Sequence, residues 1–157
     1  MKNRVVVFIA CAVCVSLSLL ITRPAQTGQA TYVGSNACSE CHDEQFENFE
    51  QFAKKAHSDR SIKIMASDLT KEELQECYAC HTTGYGQPGG FVSFEETPEM
   101  AHAGCEVCHG PGSEHVAEGG DPDLIKGTLA LEDCETCHNA DRVGAFNFKP
   151  LLYGGAH

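Results

Sequence analysis

Apolar residues recur at three- and four-residue steps over 43–56. Phe46, Phe49, Phe52 and Ala56 share one face there, and charged residues fill the other. That period predicts an amphipathic helix. Thr70 and Glu73 have capping-box spacing and open a second predicted helix, which should carry residues 77–81. Thr97 before Pro98 predicts an N-cap and a first-turn proline leading toward His102. Asp121 and Pro122 predict a further turn, and 129–138 a last helix. Residues 82–96 are rich in glycine and predict a loop with a brief strand at 91–94. Gly110 and Gly112 flank Pro111, a turn that would aim His115. The expectation is a mainly α protein of short helices and loops, with little or no β-sheet.

Residues 1–30 stand apart from this pattern. Lys2 and Arg4 precede an apolar run over 5–21, Arg23 and Pro24 end it, and Gly28, Gln29 and Ala30 make a small-x-small site. This is the order of a secretory signal peptide, with cleavage after Ala30. The alternative is an uncleaved anchor, for which seventeen residues is at the short limit. The expected division is a signal peptide at 1–30 and one domain at 31–157, in a periplasmic or extracellular protein. Membrane attachment follows only if the leader is retained.

Removal of the leader leaves eight Lys and Arg against 22 Asp and Glu, a net charge of −14. That balance excludes nucleic-acid binding through phosphates, which needs a basic face. It suits a partner with a basic docking patch. The mature part has no Trp and modest aliphatic content, so its own side chains make a thin core. Other buried apolar mass is needed. The sequence has no nucleotide loop, serine triad or paired catalytic carboxylates, and its scattered acidic residues read as a solvated surface.

Ten cysteines in an exported chain suggest disulfides first. Their positions argue otherwise. Cys11 and Cys14 lie in the leader. The other eight form four pairs of identical spacing, each followed by histidine: Cys38, Cys41 and His42; Cys77, Cys80 and His81; Cys105, Cys108 and His109; Cys134, Cys137 and His138. Zinc also uses paired C-x-x-C but has no use for a histidine after every pair. With 8 His in 157 residues, four trailing histidines arise by chance about once in 10⁵. C-x-x-C-H is the covalent attachment signature of c-type haem. The two thiols add to the two vinyl groups of one porphyrin, and the next imidazole reaches the iron. Four covalently attached haem c groups are therefore expected.

Four histidines remain, His57, His102, His115 and His157, for four open axial positions. Any one of them alone reads equally as a solvated or hydrogen-bonded side chain. Methionine could compete, but only Met65 and Met100 survive processing. His102 and His115 flank the third motif closely, so each should serve a different haem from the one attached there. About 32 mature residues per haem cannot wrap each porphyrin separately. The haems should touch and form much of the core.

The stretches "YVGSNACSECH" (32–42), "KKAHS" (54–58), "CYACHTTGYG" (77–86), "GCEVCHGPGSEH" (104–115) and "CETCHNADRVGAFNFKPLLYGGAH" (134–157) resemble the cytochrome c-554 family of multihaem cytochromes. The resemblance implies short helices packed around stacked haem pairs, bis-His ligation at most irons and a role in carrying electrons between redox partner proteins. It supports His57, His102, His115 and His157 as distal ligands. Two other functions stay open. One haem of the cytochrome that names the family lacks a distal ligand, and an open iron here would make the chain a small-molecule redox enzyme. The family also includes relatives that polymerise into extracellular haem wires. His157, the last residue, could reach a haem of the next copy in such a homopolymer. Mass analysis of the exported protein should return the mature chain plus four covalent haems; a colourless chain carrying zinc or cystine would contradict this reading.

Overall fold

The computed structural model describes residues 28–140 and residue 142. Nearly all of the leader, and His157 with the tail before it, lie outside the described residues. Among the described residues seven short helices follow one another: α1 Ser35–Ser39, α2 Asp43–Phe52, α3 Asp59–Met65, α4 Lys71–His81, α5 Cys105–His109, α6 Ser113–Ala117 and α7 Leu131–Glu135. Single 3-10 turns intervene at Lys54–His57, Ala66–Asp68, Pro98–Met100 and Pro122–Leu124. The fold is helical, with no strand among the described residues, and none of their helices is long and apolar enough to cross a membrane.

The α4 boundary is set by the capping box. Thr70 Oγ1 accepts from Glu73 N at 3.3 Å, and Glu73 Oε2 accepts from Thr70 N at 2.8 Å. Two orphan donors of the first turn are thereby satisfied. The Pro122–Leu124 turn starts as expected, with Asp121 Oδ1 accepting from Asp123 N at 3.0 Å.

Elsewhere the boundaries differ from the sequence pattern. The helix expected over 43–56 stops at Phe52, because Ala53 is extended (ψ 118°) and a separate 3-10 turn follows. The buried set is consequently Phe49, Ala53 and Ala56, and Phe52 is 66 % exposed. Thr97 does not cap its own turn; its hydroxyl accepts instead from Val92 N at 2.8 Å. The strand expected at 91–94 is absent. Phe91 N makes one bond back to Thr83 O at 2.8 Å, and the Ser93 hydroxyl then accepts from Glu95 N and Glu96 N, curling the chain into a turn. The last helix is five residues, not ten, with Leu129 before it and Cys137 and His138 in the turn after it.

The side-chain core is thin. Among the described residues the buried apolar set is Phe49, Ala53, Ala56, Ile62, Phe91, Met100, Ala101 and Ala103. Phe91, Met100 and Ala101 pack with Tyr32, Tyr78, Tyr85 and Phe94. Tyr78 meets Phe91 edge-on with ring centres 5.0 Å apart, and Phe91 meets Phe94 at 5.2 Å. Edge-to-face geometry at such distances adds to the burial itself. The glycine-rich loop folds onto this cluster through Thr83, whose backbone N donates to Met100 O and whose hydroxyl donates to His102 O at 2.7 Å. Gly90 lies so close to the Gly84 carbonyl oxygen that a Cβ there would overlap it. Gly90→Ala should therefore cost about 1–3 kcal/mol and lower the melting temperature, while alanine at Gly86, where the structure leaves open space, should disturb only its positive φ; thermal unfolding of the two variants checks the contrast.

Candidate haem centres

Each Cys-x-x-Cys-His segment is one helical turn. His42 N bonds Cys38 O at 2.9 Å, and His138 N bonds Cys134 O at 2.8 Å. The second and third motifs lie inside helices, at the end of α4 and along the whole of α5. Residues i, i+3 and i+4 fall on one helix face. The two thiols and the imidazole of every motif are thus presented together, which is the arrangement a porphyrin bound by two side bonds and one axial bond requires.

The motifs also meet one another. The Cys38 thiol hydrogen-bonds that of Cys105, and the Cys80 thiol hydrogen-bonds that of Cys137. Cys108 is close enough to Cys134 and Cys137 to raise both electrostatically. The bond shared with Cys38, offset by burial and aided by the Ser35 hydroxyl, holds Cys105 down to about 6. That same bond with Cys105, then burial, pushes Cys38 up, and burial with the Cys80 thiolate pushes Cys137 up to about 12. These shifts belong to the bare thiols, since a thioether has no proton to lose. What carries over is adjacency: the first motif with the third, the third with the fourth, and the fourth with the second.

Three histidines are each gripped at two points by one short segment. His81 O accepts from the Ser58 hydroxyl at 2.7 Å, and its Nδ1 lies 3.2 Å from Ser58 O. His109 O accepts from Lys126 N at 3.1 Å, and its Nδ1 lies 2.6 Å from Lys126 O. His115 O accepts from Gly120 N at 2.8 Å, and its Nδ1 lies 2.8 Å from Asp121 O. A carbonyl only accepts, so Nδ1 carries the proton in each ring, and in His81 and His115 the Nε2 lone pair is left for a metal. Such outer-shell bonds fix the tautomer and raise ligand basicity.

The His42 and His115 rings lie with centres 6.3 Å apart and planes 16° apart. An imidazole nitrogen is about 1 Å from its ring centre and about 2 Å from a metal it binds, so two rings on opposite sides of one iron have centres about 6 Å apart. The observed spacing fits. His102 gives a second sign: its Nε2 is buried and has no hydrogen-bond partner, and burial holds its pKa below the ordinary histidine value. A buried nitrogen left without a partner is costly unless something occupies its lone pair. Its ring lies 6.2 Å from that of Phe49. His57 ends the Lys54–His57 turn, half-buried. His138 is held below the ordinary value by burial and then by the Lys55 charge. Cys105, Cys108 and His109 line one cavity with Phe49, Lys55, Gly104 and Leu129. The donor sets and this lining fit covalently bound haem.

One residue at the site departs from the sequence reading. Glu106, between the cysteines of the third motif, was expected with the solvated acids but is 1 % exposed. Its Oε1 accepts from Val33 N at 3.0 Å and Gly112 N at 2.7 Å; its Oε2 accepts from Gly34 N at 2.8 Å and Val33 N at 3.1 Å. The carboxylate thereby joins the segment entering α1, the third motif and the turn entering α6. Gly112, where a Cβ would come within 3.3 Å of the Glu106 Oε1, is the sign of that crowding in the sequence.

The model of the family described as cytochrome c554 and c-prime matches residues 37–110. Cytochrome c-554 of Nitrosomonas europaea is 30% identical over 119 residues, covering 68% of this chain and 50% of that protein, so the chain spans half the length of this relative. The structure of reduced cytochrome c554 from the same organism superposes with a TM-score of 0.57 at 22% identity, covering 81% of this chain and 84% of that one. With helical Cys-x-x-Cys-His turns and partnerless imidazole nitrogen on the same scaffold, the chain belongs to the cytochrome c-554 family, c-type cytochromes that bind haem covalently.

Proposed function

We propose that this chain is an exported electron carrier holding four haem c groups, through Cys38 and Cys41, Cys77 and Cys80, Cys105 and Cys108, and Cys134 and Cys137. The observation that carries the reading is the adjacency of attachment thiols from different motifs. Cofactors anchored at neighbouring thiols have neighbouring edges, giving a route from the first motif through the third and fourth to the second. Haem iron, when bound, supplies a one-electron change between ferric and ferrous states, tuned by its axial ligands and surroundings.

The protein's part is to hold ligands and exclude water. His42, His81, His109 and His138 are the proximal ligands, and His57, His102, His115 and His157 the distal ones. The 6.3 Å separation of their ring centres supports His42 and His115 as one axial pair. The partnerless Nε2 supports His102 as a ligand to a second iron. Ser58 links two centres: its carbonyl accepts from the His81 ring, while its hydroxyl accepts from Ala103 N at 2.8 Å, next to His102. The leader directs the chain out of the cytoplasm, and the acidic mature surface suits redox partners with a basic docking patch.

His115→Ala should convert one haem in four from low spin to high spin. The reduced variant should bind carbon monoxide at that haem alone, and His102→Ala should do the same at another. Unchanged low-spin spectra in either variant would remove that histidine from the ligand set. Carbon monoxide binding by the wild type would show an iron already open.

A further inference from the structure

Glu106 is the one buried carboxylate among the described residues, and its four hydrogen bonds all come from backbone N–H groups. Both oxygens act only as acceptors. Nothing cationic is paired with it in these bonds; the charge is held by amide dipoles alone. Its field is felt on both sides, raising the Cys38 and Cys105 thiols and the Tyr32 phenol after their larger causes. It sits inside the third motif and is bonded to the segment that leads into the first.

We infer that Glu106 is a fixed buried charge that lowers the reduction potential of the two haems anchored at Cys38 with Cys41 and at Cys105 with Cys108. The inference rests on the tetrahaem reading above. Reduction adds one electron to a ferric centre and removes one unit of positive charge, with no bond made or broken; the electron comes from the redox partner, or from an electrode in the test. A nearby negative charge favours the more positive ferric state, so it opposes that step. Salt screens exposed charges over about 8–10 Å but reaches buried ones far less. Its hydrogen bonds and its field reach the first and third motifs, so the effect divides the four centres into two pairs. Electrons entering at the first and third centres would then run downhill to the fourth and second.

The test is spectroelectrochemical titration of the holoprotein beside Glu106→Gln and Glu106→Asp. Haem count by mass comes first: fewer than four in the wild type overturns the tetrahaem reading, a failure separate from that of the charge assignment. With four present, Glu106→Gln should shift the reduction equilibrium of two haems upward about tenfold, which is 59 mV for one electron, with low-spin spectra kept. Glu106→Asp, which keeps the charge, should leave them near the wild type. Unmoved potentials in Gln, equal rises in Gln and Asp, or equal rises at all four haems would each overturn the assignment. If Glu106→Gln yields no holoprotein, the wild type decides: its two lowest potentials should hold as salt is raised to about 1 M while the others move, and four potentials moving together would overturn it.

Discussion

A single helical turn sets the terms for the rest of the structure. Two thiols and an imidazole can address one flat cofactor only if they stand on the same side of the backbone, and spacing of three and four residues achieves this in an α-helix but not in a strand. Four such turns must be accommodated in a chain whose described helices are mostly five to eleven residues long. Helices α4 and α5 end at the histidine of their motif, and the chain then leaves the helix. Gly110, at φ 80°, makes that release after α5, directly behind His109.

The chemistry was more legible in the sequence than the architecture. Cys-x-x-Cys-His motifs are written in contiguous residues, so four candidate motifs and the surplus histidines could be read directly. The α4 boundary was equally readable, since a capping box is local chemistry. The break at Ala53 was not, because nothing in 43–56 departs from helical period. The chain turns there to seat Ala53 and Ala56 against Phe49 and to bring the 54–58 segment to α4, and those are tertiary demands. Phe52 faces outward as a result.

Glu106 was hidden for a related reason. An acidic residue between two cysteines carries no mark that separates it from the 21 other acidic residues of the chain. What buries it is the convergence of backbone from residues 33, 34 and 112, which lie 72 or more positions before it in two cases and six after it in the third. Long-range convergence of main-chain donors leaves almost no imprint on side-chain pattern, apart from the small residues it requires at its margins. The thinness of the core, by contrast, was legible from the absence of Trp and the low aliphatic content, because it is a property of amounts and not of arrangement.

The two-point grip on His81, His109 and His115 has a consequence for speed. A ring whose Nδ1 donates to a segment that also bonds its own backbone carbonyl cannot swing about its side-chain torsions without breaking the Nδ1 bond. When the charge of a bound metal changes by one unit, little of the surrounding framework has to relax. Polar groups set in advance cost no rearrangement at the moment of transfer. At a haem held by such rings the reorganisation energy of electron transfer would be small, and the rate would depend mainly on how near the cofactors lie.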